Sequence, residues 1–346
     1  MMCIKNACFI FLVFFIFSCK KSNGGNNQPT IDSTKTATIV FAKGADISWI
    51  TQMEASGYKF YDSTGTQKDC FQLMKGLGMN AIRLRVWVNP SDGWCDSADV
   101  LAKATRANKL GLNILLDFHY SDSWADPGKQ NKPAAWTSLA TTSLISEVYT
   151  YTYNTLNYLK TNGITPTWVQ IGNEVSNGML WNDGMASVNM NNFAQMVEEG
   201  YTAIKAVDST TKVMIHLPNG YDNSLYRWMF DSLTYYGAKW DIIGMSLYPY
   251  TTNYTTLDSE CLVNMNDMVK KYNTQVMVCE VGMAADSASY CKAFLTDIIA
   301  KVKSVNGGNG LGVFYWEPEA YNWQGYGLGA FDNTGKPTIA MSAFAN

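Results

Sequence analysis

The feature that most constrains the fold is a regular alternation of eight short apolar runs with longer segments of helical periodicity. The runs cover residues 39–47, 81–88, 113–119, 168–174, 212–217, 241–248, 275–281 and 312–317. Helix-like segments between them include residues 69–77, 100–110, 143–161, 190–207 and 288–305. This pattern predicts an α/β protein whose parallel sheet closes as a single-domain (β/α)8 TIM barrel. An open doubly wound sheet is the alternative, although no glycine-rich phosphate loop follows the first run.

Polar residues cluster at the ends of these runs, where a parallel barrel gathers its side chains into one pocket. The ends carry Asp46, Arg85, His119, Asn173 with Glu174, His216, Tyr248, Glu280, and Trp316 with Glu317. The chain has only two histidines, and both fall at strand ends. We therefore expect the functional site at this face of the barrel.

Two glutamates, Glu174 and Glu280, each lie at the end of a buried run, where an unpaired charge is costly. Two carboxylates are what cleavage of a glycosidic bond requires, and facing strand ends could place them about 5–5.5 Å apart. We expect Glu174 to be the acid/base, with a raised pKa, and Glu280 to be the nucleophile. The alternatives are a solvent-facing Glu174 at a helix start and a structural ion pair at Glu280.

Two arginines lie on the second predicted strand. Arg83 and Arg85 are two residues apart, so their side chains share one face of the strand. Arg85 is nearer the active end, and we expect it to hydrogen-bond Glu280 and keep that carboxylate ionised. Arg83 is expected to form a buried structural pair.

Other strand-end residues are predicted to support the site. We expect His119, Tyr248 and His216 to donate hydrogen bonds around the nucleophile or the sugar. The Asn173 amide is expected to contact the sugar, and Asp46 is expected to contact either the sugar or an arginine. Trp316 should offer a ring face beneath the cleaved sugar, and Trp87, Trp124, Trp181 and Trp323 could stack further sugars. The alternative for the histidines, Tyr248 and Trp316 is a purely structural role in hydrogen bonding or packing.

Composition narrows the partner classes. The formal net charge is −3 and no basic tract is present, so nucleic acid is not an expected partner. Aromatic residues make up 13% of the chain, including 11 Trp and 20 Tyr, whereas charged residues make up 16%. This balance favours a neutral, hydroxyl-rich ligand, with a large aromatic core as the alternative. The sequence has no zinc spacing or EF-hand pattern, so we predict no metal site and no cofactor, and we expect a monomer.

The N-terminal segment has the pattern of a bacterial lipoprotein signal. Residues 1–18 combine Lys5 with an apolar run at 9–17 that is too short to span a bilayer. The run ends in Ser18-Cys19, which predicts cleavage before Cys19 and lipidation of that residue; an ordinary signal peptide is the alternative. Residues 19–38 are rich in Asn, Gly, Ser and Thr and are predicted to form a flexible tether. Residues 39–346 are then the catalytic barrel.

Several stretches together carry a family resemblance. They are KGADIS at 43–48, RLRVWV at 83–88, LDFHYSD at 116–122, WADPGKQ at 124–130, QIGNE at 170–174, NGMLW at 177–181 and SLYPY at 246–250. Over roughly residues 41–340 the chain resembles glycoside hydrolase family 53, the endo-β-1,4-galactanases. The resemblance implies a retaining hydrolase of galactan side chains in type I pectic arabinogalactan. It also implies Glu174 as acid/base on the fourth strand and Glu280 as nucleophile on the seventh.

One departure from the family pattern lies after the seventh strand. Many bacterial relatives carry a long insertion there that helps to bind calcium, whereas here Gly282 is soon followed by the helix-like segment at 288–305. Calcium is possible for the family, but we predict none here, together with fewer glycone subsites and shorter products. The loop at 319–331 could serve as a partial wall.

Alternative functions and the location stay open. The same barrel could act on mannan or xylan, or it could be a non-catalytic glycan-binding lipoprotein. A lipid anchor at Cys19 predicts attachment to the outer membrane. Whether the enzyme faces the cell surface or the periplasm is undecided.

Overall fold

Eight parallel strands close into a barrel in the computed structural model, which describes residues 40–345. The strands are Ala42–Asp46, Ala81–Val86, Asn113–Phe118, Trp168–Ile171, Lys212–Leu217, Ile242–Leu247, Gln275–Val281 and Gly310–Trp316. Each strand pairs with the next, and the first also pairs with the eighth, where Ala42 lies opposite Gly312. The predicted α/β class and closed single-domain (β/α)8 barrel are confirmed.

Eight α-helices surround the barrel within the described residues: two follow the first strand, one follows each of the second to seventh, and a 3-10 helix, Ile339–Ala345, follows the eighth. The α-helices are Ile50–Ala55, Cys70–Gly76, Ser97–Lys109, Thr141–Thr161, Ala186–Val207, Asn223–Tyr235, Tyr254–Tyr272 and Ala288–Lys303. Asp69, Asp96 and Asp222 accept backbone N–H hydrogen bonds at three of the helix starts, which satisfies donors that the first turn leaves unpaired. A hairpin of Phe60–Tyr61 and Gln67–Lys68 was not predicted, because two-residue strands leave no periodic signal.

The barrel interior has an apolar lower layer beneath a charged upper layer. The lower layer comprises Ala42, Ala81, Leu115, Trp168, Met214, Ile242, Met277, Cys279, Leu311 and Phe314. Gly44 makes room for the ring of Phe314, since a Cβ on Gly44 would lie 2.3 Å from that ring. Arg83 and Arg85 occupy the upper layer, because strand alternation gives them the same inward orientation as Ala81.

The N-terminal predictions fall outside the structure. The signal at residues 1–18, the tether at 19–38 and the lipidated Cys19 all lie outside the described residues. Within residues 40–345, no helix is long and apolar enough to cross a bilayer.

Candidate active site

A tight turn after the fourth strand positions Glu174. The strand ends at Ile171, and the backbone then has φ values of +75° at Gly172 and +46° at Glu174. Glycine is required at the first position, because a Cβ there would lie 2.4 Å from the Val175 side chain. The turn aims the backbone N–H of Glu174 at Nδ1 of His216, 3.3 Å away. Glu174 is therefore held at the C-terminal face of the barrel.

Glu280 lies on the seventh strand, facing Glu174. One carboxylate oxygen of each residue lies within 4.8 Å of the other. Arg83 Nη2 lies 2.8 Å from Glu280 Oε1, and the Tyr248 hydroxyl donates a 2.8 Å hydrogen bond to Oε2. This upper bound is closer to the spacing of about 5–5.5 Å in retaining glycosidases than to the about 6.5–9.5 Å of inverting ones. Tyr248 thus has the contact that the sequence predicted.

Arg83 is the charged centre of the site. Its Nη1 lies 2.7 Å from Asp46 Oδ2, and its Nη2 lies 2.8 Å from Asp117 Oδ2 and 2.9 Å from Asn173 Oδ1, in addition to the Glu280 contact. These partners come from the first, third and seventh strands and from the turn after the fourth. Of the two predicted contacts for Asp46, the structure shows the arginine pair. The sugar contact predicted for Asn173 stays a prediction.

The predicted roles of the two arginines were wrong, because they are exchanged. Arg85 does not pair with Glu280; its guanidinium forms an ion pair with Glu317, the residue after the eighth strand. Arg83, predicted to be structural, makes the contact with Glu280. The prediction relied on which arginine is closer to the C-terminal end of the strand. Glu280 lies at the level of Arg83 in the barrel, whereas Arg85 is two residues closer to the C-terminal face.

His119 reaches the nucleophile candidate only indirectly. Its Nε2 lies 3.0 Å from Asp117 Oδ2, and its Nδ1 accepts from the Trp87 indole N–H and the Ala125 backbone N–H, both at 3.1 Å. Because Nδ1 is an acceptor, Nε2 carries the ring hydrogen and donates a hydrogen bond to Asp117. Burial opposes ionisation of Asp117, yet Arg83 and then His119 bring its pKa below the usual value. Asp117 is therefore a fixed negative charge beside Arg83.

His216 links the fifth strand to Glu174. Its Nδ1 lies 3.0 Å from the Gln170 side-chain amide, and its Nε2 lies 2.7 Å from the Ser246 hydroxyl. Burial and the charge of Arg83 hold the pKa of His216 well below its ordinary value, so the ring is neutral. Because the Glu174 N–H points at Nδ1, the ring proton is on Nε2 and is donated to Ser246. Ser246 in turn hydrogen-bonds the Glu174 carboxyl group.

The charge distribution separates the two glutamates. Burial raises the pKa of both carboxyl groups. Because the two groups are close together, repulsion also disfavours the state in which both are ionised. At Glu280 the rise is opposed by the Arg83 guanidinium and by the Tyr248 hydroxyl, both in direct contact. At Glu174 the rise is opposed by a hydrogen bond with the neutral Ser246 hydroxyl and, without an ion-pair contact, by the charge of Arg83. Burial raises the pKa of Glu280 to about 8, so the direct contacts with Arg83 and Tyr248 are what favour negative charge on Glu280 and leave the proton of the pair on Glu174.

Aromatic rings form one side of the pocket. Trp316 and Trp124 are half-buried, with ring centroids 5.9 Å apart and planes at 63°. Tyr326, from the loop at 319–331, packs against Trp316 at 4.9 Å and donates its hydroxyl to the Trp316 carbonyl. Whether that loop serves as a partial wall for the substrate stays a prediction. Trp124 and Trp316 have exposed ring surface with which a sugar could stack.

Comparison with known proteins identifies the family. The sequence model of glycosyl hydrolase family 53 matches residues 42–344. This chain belongs to glycosyl hydrolase family 53. A Niallia circulans protein described as uncharacterized, in the bgaB 5′ region, is 36% identical over 309 residues, covering 80% of this chain and 83% of that protein.

Two further similar proteins have an activity in their names. The arabinogalactan endo-beta-1,4-galactanase of Thermothelomyces thermophilus is 32% identical over 330 residues, which cover 87% of this chain and 98% of that enzyme. A solved structure described under two fungal beta-1,4-galactanases superposes with a TM-score of 0.81 at 30% identity, covering 89% of this chain and 100% of that one. The family 53 resemblance drawn from the motifs is confirmed.

Three tryptophans predicted to stack sugars have other surroundings in this family 53 barrel. Trp87 is 9% exposed and donates its indole N–H to His119, which leaves little ring surface for the predicted sugar contact. Trp323 is also buried, with its ring 5.2 Å from that of Tyr58. Trp181 is half-buried and donates its N–H to a backbone carbonyl. The prediction rested only on the position of each tryptophan near a strand end. Whether a ring in a loop is buried cannot be predicted from the sequence, because loops have no periodic pattern.

Sequence reasoning missed several polar residues of this family 53 site. Asp117, Gln170 and Ser246 were not singled out, although each is buried and hydrogen-bonded to a predicted site residue. Asp117 lies two residues before His119, and Ser246 lies two before Tyr248. Strand side chains repeat their direction every two residues, so this spacing was the available signal.

Proposed function

We propose that this chain hydrolyses internal β-1,4-galactosidic bonds of galactan, the side chain of type I pectic arabinogalactan, and releases galacto-oligosaccharides with retention of configuration. The observation that carries the chemistry is the pair of carboxylates, with one oxygen of Glu174 and one of Glu280 within 4.8 Å. Membership of family 53 and the galactanase activity in the names of its relatives support galactan as the substrate.

The first step is attack by Glu280. Its ionised carboxylate bonds to the anomeric carbon, and the bond from that carbon to the glycosidic oxygen breaks. Glu174 donates its proton to that oxygen, so the leaving sugar departs with a neutral hydroxyl group. Tyr248 and Arg83 keep the attacking carboxylate in place before the reaction, because each contacts one of its two oxygens.

The second step releases the sugar. Once Glu280 is esterified it carries no charge, and the repulsion that raised the pKa of Glu174 disappears. Glu174 can then take a proton from water, which attacks the anomeric carbon and frees Glu280. Two inversions at the same carbon give net retention. The pair therefore returns to its starting protonation state after one turnover.

No metal is needed for these steps. Glu174, His216 and Glu280 offer ligand atoms within 4.8 Å of one another. However, Glu280 Oε2 accepts a hydrogen bond from Tyr248, Glu280 Oε1 has the Arg83 ion pair but no hydrogen bond, and His216 uses both ring nitrogens in hydrogen bonds. A metal would have to displace these contacts. The proposal predicts that a chelator such as EDTA leaves turnover unchanged, and loss of activity restored by calcium would contradict it.

The decisive experiment is a time course on linear β-1,4-galactan with the products resolved by size. Early mixed oligosaccharides would support an endo-acting galactanase, and proton NMR of the first product would show the β-anomer. Cleavage of mannan or xylan but not galactan would keep the mechanism and overturn the substrate. Binding without cleavage of any polymer would leave a glycan-binding protein.

The short loop after the seventh strand bears on the products. Only residues 282–287, which include a 3-10 turn at Ala285–Ser287, separate the end of that strand from the helix Ala288–Lys303. Fewer subsites on the glycone side would then release shorter products than those of long-loop relatives. Galactotetraose as the dominant end product would count against this part of the proposal.

We also propose that the chain is a monomer attached to the outer membrane through lipid on Cys19. The apolar run at 9–17 followed by Ser18-Cys19 supports lipidation. Labelled palmitate should enter the wild type and be absent from Cys19→Ser, which should leave the membrane fraction. Protease treatment of intact cells would separate surface from periplasmic exposure, and size-exclusion chromatography with light scattering would test the monomer.

A further inference from the structure

We propose that Arg85 is a positioning residue for substrate, holding the sugar-binding surface formed by Trp124 and Trp316 in its binding geometry. We call this pair of half-buried rings the ring corner. The inference rests on the proposed function for the identity of the sugar. It assigns to Arg85 a task separate from that of Arg83, which contacts the nucleophile.

Arg85 is enclosed by indole rings. Its guanidinium carbon lies 4.3 Å from the ring centroid of Trp124, 5.2 Å from that of Trp49 and 5.4 Å from that of Trp87. The side chain is only 1% exposed. Within the described residues, its Nε and Nη2 have no hydrogen-bond acceptor. A buried guanidinium with unpaired N–H groups gains its compensation from the ring faces, so the cation and the rings fix one another.

Arg85 reaches both halves of the ring corner. It contacts Trp124 directly, and its ion pair with Glu317 fixes the residue that follows Trp316. The Glu317 carboxylate also accepts the Trp49 backbone N–H at 3.2 Å. Thus one guanidinium ties a ring from the loop after the third strand to a ring at the end of the eighth strand.

The ring corner lies next to the catalytic groups. The carbonyl of Ala125, the neighbour of Trp124, accepts the Asn173 side-chain amide at 2.8 Å, and Asn173 precedes Glu174. On the other side, the strand that ends at Trp316 pairs with the Glu280 strand, where Tyr315 lies opposite Val281. A sugar at the cleavage site would therefore meet these two rings, and their mutual angle of 63° would set its orientation.

The test compares Arg85→Lys with the wild-type full chain on β-1,4-galactan. Lysine keeps the charge but cannot both pair with Glu317 and lie flat against the rings. We expect KM to rise about tenfold, with kcat falling less than about threefold, because the rings bind sugar but do not take part in proton transfer. Acrylamide quenching of tryptophan fluorescence should increase in the ligand-free variant.

A matched control is Arg106→Lys. Arg106 also pairs with two carboxylates, Glu54 and Asp69, and lies 4.5 Å from the Phe71 ring, but outside the site. It should lose stability without a change in KM. If Arg85→Lys folds poorly, Arg85→Met combined with Glu317→Gln removes the unpaired carboxylate charge, and the same rise in KM is expected.

Three results would overturn the inference: an unchanged KM with only a lower melting temperature, a fall in kcat at constant KM, or a displaced acidic limb of the pH profile. The last two results would indicate that Arg85 acts on the nucleophile Glu280 and not on the rings. A wild-type protein that does not cleave galactan would remove the proposed function instead. The quenching measurement would still decide whether Arg85 holds the rings, since it needs no substrate.

Discussion

Arg83 Nη2 lies 2.8 Å from Glu280 Oε1, in an ion pair between the second and seventh strands that is almost completely buried. The same guanidinium contacts Asp46 and Asp117. Three carboxylates thus surround one cation, and a fourth negative charge at Glu174 would add repulsion without a contacting cation of its own. This arrangement favours one proton remaining in the site, and the contacts that Glu280 makes with Arg83 and Tyr248 favour Glu174 as the group that holds it.

Substitution of Arg83 by lysine should move the acidic limb of the kcat/KM profile to higher pH. Lysine cannot contact Asp46, Asp117 and Glu280 together, so the opposition to the raised pKa of Glu280 weakens. Glu280 then becomes ionised only at higher pH, and we expect a displacement of about one pH unit. The pH dependence of initial rates on galactan measures it. Arg85→Lys is the comparison, and a similar displacement in both variants would contradict the separation of roles.

Removal of the nucleophile should abolish turnover without abolishing binding. Glu280→Ala lacks the carboxylate that bonds to the anomeric carbon, so kcat should fall at least about 10⁴-fold. Calorimetric titration with galacto-oligosaccharides should give a dissociation constant for the variant close to that of the wild type with the same oligosaccharides. Substantial residual turnover by the purified variant would remove Glu280 from the nucleophile role.

Removal of the acid/base should depend on the leaving group. Glu174→Ala cannot protonate the glycosidic oxygen, so hydrolysis of galactan should fall about 10²–10⁴-fold. An aryl galactoside with a good leaving group needs little protonation, and its glycosylation step should be nearly unaffected. Added azide should also restore turnover by replacing the water that needs a base. Equal losses on both substrate types would contradict the acid role.

The sequence was sufficient for the barrel and for the two glutamates but not for the contacts around them. Eight repeats of a strand–helix pattern leave one closed topology, and Glu174 and Glu280 stand out because each lies at the end of an apolar run. The partner of Arg85 was not predictable, since Glu317 is 232 residues away and its approach depends on barrel closure. The depth of each side chain within the barrel is set by strand register, which the sequence does not display.

Trp316 should contribute to binding rather than to stability. Its ring is half-buried and packs against Trp49 at 5.1 Å and Tyr326 at 4.9 Å, so part of its surface remains for the sugar. Trp316→Ala should weaken oligosaccharide binding and kcat/KM about tenfold. The melting temperature should change little. A large fall in melting temperature with unchanged binding would favour a packing role for the ring.

Asp258 should make the stability of the barrel depend on pH. It is fully buried on the helix Tyr254–Tyr272, and burial together with nearby Asp297 raises its pKa to about 9. The native state therefore holds a proton that the unfolded chain releases above its ordinary pKa, so stability falls as the pH rises towards 9.

Asp258→Asn has no such proton, so its stability relative to the wild type in urea unfolding should rise between pH 5 and pH 8.5, by up to about 1.4 kcal/mol for each pH unit. Asp267→Asn on the same helix is the control with the opposite sign. Its hydrogen bonds with Arg227 lower the pKa of Asp267, so that variant should be less stable than the wild type at neutral pH. The deficit should shrink as the pH falls below 4, because acid protonates Asp267 in the wild type as well. A pH-independent difference for Asp258→Asn would show that Asp258 is ionised in the native state.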